Sequence, residues 1–161
     1  MSRALGWVLL VLALVLSLPA EAAQAQKARV AVLRPEGRQG AALRKVLMQE
    51  LGKKGRGREV VPARTVDAQV KRIRGGPKTD DQRQALAEKL GADALITSSV
   101  KGTKRWDVEV RVYDGKDGTL LAEESWNVRP NRAFPEVKRE LESRLSAALR
   151  KSQERPTPPP P

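Results

Sequence analysis

Between Thr79 and Val100 the chain reads TDDQRQALAEKLGADALITSSV, a run in which start, stop and direction are all written locally. Thr79 followed three residues later by Gln82 makes a capping box, each side chain satisfying a backbone donor of the first turn. Asp80 and Asp81 then put carboxylates at the positive end of the helix dipole. Ala85, Leu86 and Leu90 bring an apolar face round at helical spacing, and Gly91 takes the left-handed stop without a Cβ penalty. Ala94, Leu95 and Ile96 pass into small residues and Val100, the composition of a strand covered on both faces. A helix that stops just before a buried strand must pack back on that strand's sheet, so the class is α/β.

The rest of the chain fits the same scheme. Ala28 to Leu33 is a short β-branched run ended by Pro35 and Gly37, fit for a buried strand. Leu43, Val46, Leu47 and Leu51 repeat at three and four residues, which predicts a helix from about Gly40 to the stop at Gly52. Glu59 to Val61 is a short strand closed by Pro62, and Thr65 can cap a short helix using Val66, Val70 and Ile73. Trp106, Val108, Val110 and Val112 alternate with Arg105, Asp107, Glu109, Arg111 and Tyr113, so one face is core and the other wet. Asp114 to Gly118 reads as a hairpin turn that returns Thr119 to Val128 antiparallel. Phe134, Val137, Leu141, Leu145 and Leu149 mark a closing amphipathic helix, with Pro135 in its first turn. The expected architecture is a single two-layer sandwich: a mixed sheet of about five strands packed by three or four helices, in the order βαβ(α)αβββα.

With 161 residues there is room for one such domain and its appendages. Residues 1–25 read as a secretory leader: Arg3 supplies the positive region, Trp7 to Leu18 the apolar region, and Ala23-Gln24-Ala25 the small-residue cleavage site, with Ala20-Glu21-Ala22 as the alternative. The apolar run falls short of the ~20 residues that cross a bilayer, so cleavage after Ala25 is expected and no transmembrane span after it. The folded domain then covers 26–152, and 153–161, ending RPTPPPP, forms an extended tail. The chain has no cysteine, hence neither a disulfide nor the lipid-acceptor residue of a bacterial lipoprotein. With the leader-like segment, a periplasmic location is expected.

The pattern resembles the exported α/β domain at the amino terminus of TolB-type translocation proteins, with LpoB and CsgG among its relatives. AVLRPEG (Ala31 to Gly37) is similar to the family's first strand and its proline-bearing exit. LAEKLGADALITSSV (Leu86 to Val100) is similar to its helix running through Gly-Ala-Asp into a strand, and WDVEVRVYDGKDGTLLAE (Trp106 to Glu123) to its hairpin. Ser98 stands where the family usually has glycine, and no β-propeller, lipobox or pore-forming segment is present. The resemblance implies the fold and an envelope accessory role, and carries over no partner and no site residue.

The chain contains no histidine and no cysteine, which removes the commonest general base, the thiolate nucleophile and the usual transition-metal ligands. No enzyme activity, metal or cofactor is expected. A carboxylate-based hydrolase would need two acids converging in a cleft, Asp93 and the pair Asp107 and Glu109 being the candidates. The blander expectation is that Asp93 satisfies local backbone donors and that Asp107 and Glu109 pair with bases across the hairpin. Ser98 and Ser99 have no base near them in sequence and read as small packing residues.

A net charge of +12 attracts polyanions of any kind. Two loops concentrate it: residues 52–58, with Lys53, Lys54, Arg56 and Arg58, and residues 71–78, with Arg72, Arg74 and Lys78. The first lacks the Gly-Lys-Ser/Thr ending of a nucleotide loop, so the expectation is at most a diffuse anion-binding patch. Nucleic acid is not expected as a partner in the cell, because Trp106 and Phe134 fall on apolar faces and leave no stacking platform. Trp126 is a candidate protein interface if it proves exposed, and a core residue otherwise. Two functions follow as expectations: binding of another envelope protein, or binding of anionic envelope polymers or lipid head groups through the basic loops.

Overall fold

A computed structural model describes residues 27–37, 39–73, 75–130 and 133–154. The segment expected as a leader, the expected tail from Arg155 on, and Arg74 lie outside the described residues; residues 153 and 154, expected in the tail, end the last helix.

The elements follow in the order expected from hydrophobic period and turn chemistry: β1 Ala28–Val32, α1 Gly40–Leu51, β2 Arg58–Val60, α2 Ala63–Val70, α3 Asp80–Leu90, β3 Ala94–Lys101, β4 Trp106–Asp114, β5 Leu120–Val128 and α4 Ala133–Glu154. The five strands form one mixed sheet in the order β2-β1-β3-β4-β5. β1 is parallel to both of its neighbours, and β3, β4 and β5 form an antiparallel meander.

Strand order decides the layering. The connection β1-α1-β2 moves one way across the sheet, and β2-α2-α3-β3 moves back past β1 to its other side. Parallel crossovers share one hand, so two that travel in opposite directions must pass over opposite faces. Two cores result. On one face α1 and α4 bury Leu43, Leu47, Leu51, Leu141, Leu145 and Leu149 against Val30, Val32, Ile96, Val108, Val110 and Val112. On the other, α2 and α3 bury Val66, Leu86, Ala87 and Leu90 against Ala31, Leu33, Val61, Leu95 and Tyr113. The two-layer sandwich expected from the sequence therefore describes only β5 and the part of β4 before Tyr113, beyond the reach of α2 and α3; over β1, the start of β3 and the Tyr113 end of β4 there are three layers.

Leu95 and Ile96 are fully buried and point into different cores. Beyond them β3 is covered on one side only, with Thr97 and Ser99 half-buried and Lys101 exposed. At the helix before it, the Thr79 side chain accepts from the Gln82 backbone and Gly91 closes the helix at φ 57°. Ala87 rather than Ala85 faces the core, since it sits one residue from Leu86 and three from Leu90. Helix α2 begins two residues before Thr65, because the Pro62 carbonyl accepts from Thr65 and Val66 and the proline itself takes the cap position. Tyr113, expected on the wet face, is buried under α3, with the Arg83 guanidinium 4.3 Å from its ring centroid.

Candidate functional site

The first basic loop proves to be a clasp between helices. Glu50, in the last turn of α1, is 2% exposed. It receives Lys53 at 2.5 Å, Lys138 of α4 at 3.5 Å and Arg56 at 3.9 Å. Burial alone would push its carboxyl up, but hydrogen bonds and charge from Lys53 and then Lys138 outweigh burial and hold it below its ordinary value. Arg56 also donates to the Glu50 carbonyl at 2.9 Å. Arg56 and Arg58 share Glu142 of α4, at 2.7 and 3.0 Å. Three of the four bases in this loop therefore neutralise acids of α1 and α4, and Lys54 alone of them faces water without an ion pair among the described residues.

The second loop overhangs the opposite side of the molecule, next to β3. Arg72 and Lys78 are exposed there. The fold thus keeps the two loops on different faces and does not join them into one cationic patch. Trp126 is 4% exposed and belongs to the α1–α4 core. Its indole N–H donates to Glu140 at 3.2 Å, and the Arg144 guanidinium lies 5.1 Å from its ring centroid. Burial would raise the Glu140 carboxyl, and the Trp126 hydrogen bond with Arg139 and Arg144 lowers it below its ordinary value. The exposure on which an interface at Trp126 depended is absent, because α4 lies across β5.

The carboxylates take structural positions. Asp93 accepts from the Arg29 backbone N–H at 2.8 Å, a bond spanning 64 residues that ties β1 to β3, where a local partner was expected. Asp107 accepts from the Asn127 side chain across the hairpin at 2.5 Å. Glu109 meets Arg111 on its own strand at 2.6 Å, and Arg111 also reaches Glu123 of β5 at 3.3 Å. The Glu123 hydrogen bond, against the cost of burial, raises the Arg111 pKa. Since Asp107 pairs with Lys101, Asp93 lies eight residues away along β3, roughly 25 Å at strand rise. The two acids cannot act on one substrate bond.

What stays open is the outer face of β3, β4 and β5. Three cross-strand rows cover it: Thr97, Arg111 and Glu123; Ser99, Glu109 and Ser125; Lys101, Asp107 and Asn127. All nine are polar, and β5 is a nine-residue edge strand. Along the β1 side the face deepens into a cleft of about 250 Å³, walled by Arg34 and Glu36 on one side and by Gly75 to Lys78 on the other. Arg34, Thr97 and Lys101 were not singled out in the sequence. The available signal was their place at the ends of β1 and β3, since ligands of open α/β sheets gather at carboxyl ends of strands.

The fold is shared with solved structures of distant sequence. The LpoB C-terminal domain from Salmonella enterica superposes with a TM-score of 0.52 at 12% identity, over 65% of this chain and 84% of that one. TolB from Acinetobacter baumannii matches at 0.51 and 17% identity over 80% of this chain, but only 29% of its own length. The lipoprotein GNA1162 from Neisseria meningitidis matches at 0.50 and 20% identity, over 79% and 97%. No protein-family model and no curated sequence matches the chain. At these identities the likeness is one of fold, and it is the fold that the TolB-type resemblance implied.

Proposed function

We propose that the mature chain is a periplasmic accessory domain that binds another protein of the cell envelope and catalyses no reaction. The observation that carries this reading is the fold shared with LpoB, TolB and a lipoprotein, taken with a leader-like segment at residues 1–25. The surface offered to a partner is the polar face of β3, β4 and β5. A flat, fully polar, three-stranded face beside a long edge strand suits a wet, reversible protein contact better than a small-molecule pocket.

A photo-crosslinking side chain placed at the exposed Ser125 in intact cells tests it. The expected result is a discrete adduct with one envelope protein, from a chain whose amino terminus is Gln26. Adducts confined to cytosolic nucleic-acid-binding proteins would overturn both the compartment and the role.

A further inference from the structure

The cleft beside the open face lies just past the carboxyl end of β1, against the later half of β3. There the segment after β1, which pairs with β3 through Glu36 and Ser99, and the loop after α2 flank the open face of β3. Thr97 and Ser99 form the floor, Arg34 and Glu36 one wall, Lys78 the other, and Lys101 stands at the rim. Arg34, Lys78 and Lys101 are exposed, and none has an ion pair among the described residues. This sets them apart from Arg56, Arg58 and Arg111, whose charges are met by Glu142, Glu109 and Glu123. The hydroxyls of Thr97 and Ser99 make no side-chain hydrogen bond within the described fold. The cleft thus offers three cations without an ion pair against one such carboxylate, Glu36, and two hydroxyls without a side-chain partner, over a rigid strand.

We propose that this cleft holds an acidic segment of a protein partner, one or two of its carboxylates lying against Arg34, Lys78 and Lys101 while its chain runs over Thr97 and Ser99. The proposal rests on the protein-binding reading above and names the chemistry of the partner. Three observations select a peptide over other anions. At about 250 Å³ the cleft is below the range that encloses a cofactor or drug-sized ligand, and it fits one or two side chains. It opens onto the face of β3, β4 and β5, where an extended chain can continue past Ser99 towards Ser125. Glu36, which has no ion pair among the described residues, also lines it; it repels a densely charged polyanion such as nucleic acid or lipopolysaccharide, and tolerates isolated carboxylates between neutral residues.

The test is a nuclear magnetic resonance titration of the mature chain with an eight-residue peptide alternating Glu and Ser. Amide shifts should concentrate at Gly75, Gly76, Thr97, Ser99 and Lys101. Arg34→Ala combined with Lys101→Ala should weaken binding about tenfold or more. Lys54→Ala combined with Arg150→Ala, which removes two equally exposed bases elsewhere, should change it less than about twofold. Both double variants should melt with the parent, because none of the four side chains pairs within the described fold. Shifts spread over every exposed base, equal losses in the two double variants, or inorganic polyphosphate taking the cleft in preference to the peptide would each overturn the proposal. No peptide binding alongside an intact Ser125 adduct removes the cleft and leaves the protein-binding role standing. Cleft binding without any envelope adduct supports the site and removes the role.

Discussion

Glu50 shows how a single buried charge organises its neighbourhood. Its carboxylate meets cations from its own helix end, from the following loop and from α4, so removing it leaves several bases facing an uncharged group. Glu50→Gln should cost about 1–3 kcal/mol at neutral pH, read by urea unfolding. Because the folded carboxyl titrates below its ordinary value of 4.5, its contribution is complete above that value and is lost as pH falls through the lower folded one. The parent should therefore lose stability on acidification in that window, and the Gln variant should show a flatter acid limb. Arg44 does comparable work on the other side of α1. Its Nε and one terminal nitrogen donate to the Val32 carbonyl at 3.1 and 2.8 Å, and the other nitrogen bridges both Asp67 oxygens at 2.8 and 2.9 Å. Arg44→Leu should destabilise by about 2 kcal/mol, and a double-mutant cycle with Asp67→Ala should return a coupling of about 1 kcal/mol.

The elements differ in how much of their definition is local. For α3 nearly all of it is: the capping box of Thr79 and Gln82 opens the helix and Gly91 ends it. Thr79→Ala should cost about 1 kcal/mol in thermal or chemical denaturation. The hairpin between β4 and β5 combines local and distant demands. Asp114 and Asp117 each accept a backbone N–H two residues on, which composition alone foretells. Gly118 has a second reason to be glycine: at φ 72° its missing Cβ makes room for the Asp80 carbonyl of α3. Gly118→Ala should therefore cost more than a turn glycine on its own, about 2–4 kcal/mol from the strained backbone and the collision together, with the loss measured by the same denaturation. The α2 start belongs to the same lesson. Thr65 looked like the cap because Thr is a good one, and Pro62 displaced it because a proline after a strand already stands where the helix must begin.

At the scale of the molecule, two cores share one sheet and have no buried side chain in common. Leu86→Ala in one and Leu141→Ala in the other should each cost about 2–5 kcal/mol, and the double variant should lose their sum to within about 0.5 kcal/mol. A departure well beyond that would mean the faces communicate through the sheet. Of this architecture, much could be read in the chain before folding. The strands, the four helices and their order follow from period-two and period-3.6 patterning, from Gly and Pro punctuation and from the cap at Thr79, all governed by neighbours within a few residues. Cleft and clasp could not be read so. Arg56 meets Glu142 across 86 residues, and Arg34, Thr97 and Lys101 come together only because β1 sits between β2 and β3. Nothing local distinguishes a paired arginine from a free one, so which bases of a +12 chain stay available was decided by strand order and by the faces the crossovers took. Local backbone energetics set the elements; the long-range packing that only the tertiary structure supplies chose which charges were left without a partner.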